Sequence, residues 1–239
     1  MSRPAFYALA PGGWRDYVTL LHLPYTAWHL SYVAIGAALA PEPAGRRLLA
    51  ALAAFLLALG IGAHALDELN GRPLNTRISD RMLIALAAAS IGAATAIGVA
   101  AALAWTLWLL PFVAVGGFLV VAYNLEVFGG FFHTDLWFGL AWGAFPLLTG
   151  YFVVAEKLTP EAGLAAIFAL LSSLAQRKLS TQVRKVRRRV DSVTGTLRMA
   201  DGTLEEITTD TLMGSPEAAL RLLAAAMVSL AAALLVLRF

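Results

Sequence analysis

Cysteine is absent from the chain, which excludes disulfides, iron–sulfur clusters and thiol nucleophiles. Charge is scarce: charged residues fill 14% of the 239 positions, against about 25% in a soluble domain. Residues 1–13 contain Arg3 but no apolar core before Trp14, so they do not read as a cleaved signal peptide. No convincing internal repeat is present. Alanine-rich runs such as 85–102 are what close packing between membrane helices uses, not a sign of chemistry. What remains is hydrophobic, 59% of the residues at a mean hydropathy of +0.73. The composition is that of an integral membrane protein.

Apolar runs of about 20 residues, each enough for a hydrocarbon core roughly 30 Å thick, predict a bundle of seven transmembrane helices. They fall near 19–40, 47–69, 82–103, 105–126, 136–155, 161–176 and 216–237. The sixth is short and can extend into the polar segment that follows. Trp14, Trp105 and Trp108 sit where interfacial aromatics belong. Pro24, Pro111 and Pro146 read as tolerated kinks.

Placing the N-terminus inside gives that face fourteen of the eighteen Lys and Arg residues, leaving Arg46, Arg47, Lys157 and Arg238 outside. This positive-inside bias predicts a cytoplasmic N-terminus and an external C-terminus, in a prokaryotic cell membrane. Residues 177–214 form the one sizeable polar segment within this single domain. Its second half alternates apolar and polar residues around Ala200-Asp201-Gly202, a hairpin pattern. Its first half, RKLSTQVRKVRRRV, is basic. It reads as an anchor on anionic lipid head groups or as a cationic wall drawing in a phosphorylated substrate. No aromatics interleave with those charges, so nucleic acid is not an expected partner.

The polar residues within the apolar runs are the candidate site, because ionisable groups at membrane depth are retained mainly for binding or pairing. The stretch 62–81, GAHALDELNGRPLNTRISDR, places His64 and Glu68 four apart on the second helix, with Asp67 beside them. His22 and His29 lie seven apart on the first helix, nearly on one face. Glu126 ends the fourth helix, and His133 and Asp135 open the fifth. Each has a plainer reading. The histidines can bond a neighbouring helix, Asp135 can cap its helix, and Asp67 and Glu68 can pair with Arg72 or Arg77. Ser79 or Asp80 can start the third helix.

Asp67, then Arg72-Pro73-Leu74, then Arg77-Ile78-Ser79 leading into Met82, resembles the UbiA family of intramembrane prenyltransferases. A fourth helix ending Ala122-Tyr123-Asn124 and a fifth reading LAWGAFPLLTG fit the same pattern. The resemblance implies a helical bundle with a cytoplasm-facing cavity. In it Mg²⁺, held by two aspartate-rich motifs, binds an isoprenyl diphosphate whose prenyl group passes to an aromatic or lipid acceptor. Carried onto this chain, it makes His64, Asp67 and Glu68 metal ligands, with Asp67 and Glu68 catalytic. Arg72, Arg77, Arg177 and Lys178 become diphosphate contacts, and Tyr123 and Asn124 pocket residues. If Asp67 matches the middle aspartate of the first motif, His64 and Gly71 stand at the other two. Gln176, Arg177, Lys178 and Ser180 stand where the second motif belongs. Two further readings remain open. One is a non-catalytic protein of this fold that binds an isoprenoid or anionic lipid. The other is a metal enzyme using His22, His29, His64, Glu68, His133 and Asp135 around iron or zinc.

Overall fold

The computed structural model describes residues 4–239. A short helix α1 (Trp14–Leu20) leads into α2 (Leu23–Leu39). Next come α3 (Gly45–Leu69), α4 (Asp80–Ala104), α5 (Leu107–Asn124) and α6 (Asp135–Ala155), then α7 (Pro160–Arg189). Strands β1 (Thr196–Arg198) and β2 (Leu204–Glu206) pair antiparallel, and α8 (Thr209–Arg238) ends the fold. Among the described residues, five of these helices, α3, α4, α5, α6 and α8, are long and apolar enough to cross a membrane. The chain is thus all-α apart from the expected hairpin.

Several boundaries differ from the sequence reading for identifiable reasons. The first span is broken at His22, which adopts a left-handed conformation at φ 46°. It therefore precedes α2 instead of sharing a helical face with His29. Pro24 and Pro111 start helices rather than kinking them, because a first-turn N–H has no intrahelical acceptor to lose. Pro146 follows a π-helical turn, Leu140–Ala144, which lets α6 run on. A second π turn, Leu56–Ala63, lies in α3 just before His64. The short sixth run does extend into the polar segment, the basic stretch after Gln176 continuing α7 to Arg189. Thr134 caps α6 through its side chain, where Asp135 was the expected cap. Ser79 caps α4 as anticipated.

The helices pack through α2, whose side chains Trp28, Tyr32 and Val33 are almost fully buried. Its closest neighbour is α6, and the crossing depends on two glycines. A Cβ on Gly36 would overlap the Leu147 carbonyl, and one on Gly150 would overlap the Val33 carbonyl. Small residues at such crossings let backbones touch, which in lipid replaces the hydrophobic drive that water would supply. Gly143 makes a similar approach to the Ala169 carbonyl on α7.

Gly150→Ala should therefore destabilise the bundle by about 1–3 kcal/mol, the usual cost of overpacking. Gly92→Ala, where an added Cβ meets nothing within 4 Å, should be neutral or stabilising by up to about 1 kcal/mol. Thermal unfolding of the two variants in the same detergent checks the contrast.

Candidate functional site

The residues that end α3 take opposite roles. Glu68 is fully buried. Its carboxylate accepts hydrogen bonds from the Leu74 and Thr76 backbone N–H groups at 2.9 and 2.8 Å, and from the Thr76 hydroxyl at 2.9 Å. It folds the loop 70–79 around itself. Arg72 completes that loop, donating to the Ile78 carbonyl at 2.5 Å and pairing with Asp80. The Arg77 backbone N–H donates to Asp16 at 2.9 Å, and the other Asp16 oxygen accepts from Gly12 at 2.9 Å. The acid-then-RPL stretch is, in large part, a self-contained loop.

Asp67 faces the other way, into a cavity of about 570 Å³ at the same end of the bundle. Of the residues singled out from sequence, His22, His29, His64, Asp67, Tyr123, Asn124, Glu126, His133, Asp135 and Arg177 line it. Glu68, Arg72, Arg77 and Lys178 are not among the lining residues. Glu68 and Arg72 serve the loop, the Arg77 side chain is exposed, and Lys178 pairs with Asp135 at 2.9 Å. Sequence reasoning missed Tyr7; Arg184 and Arg188, read only as part of a basic stretch, and Gln176 also line the cavity. Arg177, Arg184 and Arg188 follow a 7-then-4 spacing, one face of a helix. That spacing was the available signal.

Residues 4–7 roof the cavity. Tyr7 Oη lies 2.9 Å from His22 Nδ1, Phe6 lies under the Arg221 guanidinium, and the Arg188 Nε donates to the Pro4 carbonyl at 3.4 Å. Burial raises the Tyr7 phenol above the ordinary tyrosine value. Beneath the roof, the His22 and His64 rings stack at 4.0 Å and 10°. Three imidazoles donate Nδ1–H to carbonyl oxygens: His29 to Trp142 at 2.7 Å, His64 to Gly60 at 3.1 Å and His133 to Tyr123 at 3.0 Å. A carbonyl can only accept, so these bonds fix the tautomers of the neutral rings and leave each Nε2 a lone pair. Three buried polar atoms around the cavity have no partner among the described residues: His22 Nε2, Tyr123 Oη and Gln176 Oε1. Buried polar groups are normally bonded, so this cluster points to a polar ligand.

The electrostatics of the cavity are cationic. Arg177, Arg184, Lys185, Arg188 and Arg189 line it against Asp67, Glu126 and Asp135. Asp135 is held by Arg177 at 3.3 Å as well as by Lys178, which keep its neighbourhood occupied. Arg184 has a hydroxyl as partner, Thr181 at 3.2 Å. Burial, with Arg177 and Arg188 close by, holds it below the ordinary arginine value.

The carboxylates do not fit Mg²⁺ held by two acidic clusters. Mg²⁺ requires near-octahedral oxygen ligands and usually takes one or two carboxylates with substrate phosphate. Here both Glu68 oxygens are occupied, Asp135 is paired, and Glu126 accepts from Asn70 at 3.4 Å. Among the described residues no three His, Asp or Glu side chains are grouped to hold a metal ion, so the six-residue iron or zinc set is not assembled either.

Above this cavity lies a narrow apolar cleft of about 110 Å³ between α3, α4, α5 and α6, lined by residues such as Ala58, Ala94, Gly98, Phe112 and Val120. Leu59 and Trp142 line both spaces, so the polar cavity and the apolar cleft are immediate neighbours. No protein-family model, no curated protein and no solved structure matches this chain.

The division of labour between the two acids predicts opposite stability effects. Glu68→Ala strands two backbone donors and a hydroxyl and should destabilise by about 3 kcal/mol or more. The Asp67 carboxylate accepts no hydrogen bond among the described residues, and Asp67→Asn should stay within about 0.5 kcal/mol of the parent. Thermal unfolding of both variants decides this.

Proposed function

We propose that this chain binds an isoprenyl diphosphate inside its helical bundle, with the phosphates in the arginine-lined cavity and the hydrocarbon chain entering the apolar cleft. The observation that carries the reading is the junction of the two spaces at Leu59 and Trp142. A ligand with an anionic head and an apolar tail satisfies both sides of that junction at once. The cleft has room for the first carbons of a chain and leaves the rest to surrounding lipid. The resemblance to UbiA proteins adds the isoprenoid to what would otherwise be any phosphorylated lipid. The distribution of Lys and Arg favours a cavity mouth on the cytoplasmic face, where such diphosphates are water-accessible.

Transfer of the prenyl group to a lipophilic acceptor is the second reading. It is favoured by Asp67 and the His64 Nε2 lone pair, groups lining the cavity able to take a proton from an acceptor hydroxyl. No step through Mg²⁺ is drawn, since the carboxylates do not form the two acidic clusters that the resemblance implies.

Binding of radiolabelled geranylgeranyl diphosphate to the detergent-purified protein tests the first reading. Arg184→Gln should weaken it at least about tenfold, a single charge-assisted hydrogen bond being worth about 1.5–3 kcal/mol. Ala58→Phe, which fills the cleft, should weaken geranylgeranyl diphosphate while leaving inorganic diphosphate unaffected. Absence of saturable binding overturns the proposal. Release of diphosphate in the presence of a membrane lipid extract supports transfer, and saturable binding without release favours binding alone.

A further inference from the structure

The cavity is built to meet phosphate oxygens directly. Arg177, Arg184 and Arg188 stand on one face of α7 and line the cavity together. Guanidinium groups match phosphate geometry with paired N–H donors and remain charged in all conditions met by a protein. Like charges gathered in a partly buried place are unfavourable until an anion arrives. Arg184, whose bonded partner is a neutral hydroxyl at 3.2 Å, carries that penalty most plainly. Tyr123 Oη is a second donor, 96% buried by side and unpartnered among the described residues. Two of the acids are engaged elsewhere, Glu68 in its loop and Asp135 with Arg177 and Lys178, so the carboxylates of the cavity are outnumbered by its guanidinium groups.

From this we infer that the cavity recognises a phosphate or diphosphate group by direct guanidinium contact from Arg177, Arg184 and Arg188, without a bridging divalent cation. The inference rests on the reading of the cavity as a phosphate site and adds how the charge is met. It also reverses the role of Asp67. In a metal-held site that carboxylate is a ligand and its loss weakens binding. In a guanidinium-held site it is a competing carboxylate, lining the same cavity as Arg184 and Arg188, and its loss relieves repulsion toward the phosphate.

The experiment measures inorganic diphosphate and geranylgeranyl diphosphate binding to the full-length protein, each with chelator and with Mg²⁺. The expected result is an affinity that agrees within about threefold between the two conditions. Asp67→Asn should bind as tightly as the parent or more so, and Arg184→Gln should lose at least about tenfold. Binding that appears only with Mg²⁺, or that Asp67→Asn abolishes while its melting temperature is unchanged, overturns direct recognition and leaves the phosphate-lipid reading standing. Metal-independent binding of inorganic diphosphate without binding of the lipid overturns the lipid reading alone. No binding of either probe overturns both. The metal arms use the unaltered protein, so a variant that fails to fold does not rescue the inference.

Discussion

The buried carboxylate of Glu68 and its three donors hold the cavity end of the molecule in shape. A charge taken out of water is tolerated only when its lone pairs are met, and the loop 70–79 supplies those partners from its own backbone. Once that loop is closed, its outer residues are placed as well. Arg72 reaches Asp80 at the start of α4. The Arg77 backbone meets Asp16, which in turn holds Gly12 and so steadies the segment that roofs the cavity. Asp67 is free to face the cavity because its neighbour has taken the structural role.

How much of this the sequence made legible varies with the kind of signal. Long apolar runs marked α3 through α6 and α8 closely, because nothing else satisfies backbone groups in lipid. The turn at Asp201-Gly202 marked the hairpin. Asp67 and Glu68 could not be told apart, since one residue's rotation around a helix separates cavity from core. The two π turns have no composition signature, yet they set the facing of His64 and of the α6 residues that follow. The basic stretch stands out by its charge, because its few apolar residues are too sparse for a membrane run. In the fold it is the end of α7, turning Val183 and Val186 inward and its arginines toward the cavity. His22 shared a predicted helix with His29 only until its left-handed backbone separated them. The family resemblance drew on the loop around Arg72 more than on the cavity, and of that loop Asn70 and Pro73 reach the cavity wall while Arg72 and Arg77 do not line it.

Polar and apolar spaces are kept adjacent by small residues in the helix walls. Alanines and glycines of α3 and α4 leave the cleft open where larger side chains would close it, and Trp142 stands between the two environments. Its T-shaped contact with Tyr123 at 5.4 Å joins the wall of the cleft to a residue of the arginine-lined chamber. The chemistry of the site and the packing of the bundle are therefore properties of the same side chains.

The roof formed by residues 4–7 has a consequence for traffic. A solute arriving from water passes a rim fastened by the Tyr7–His22 contact and the Arg188–Pro4 bond. An apolar guest dissolved in the bilayer need not pass that rim. Occupancy then follows the guest's mole fraction in the membrane, a two-dimensional concentration, and diluting the aqueous phase changes it little.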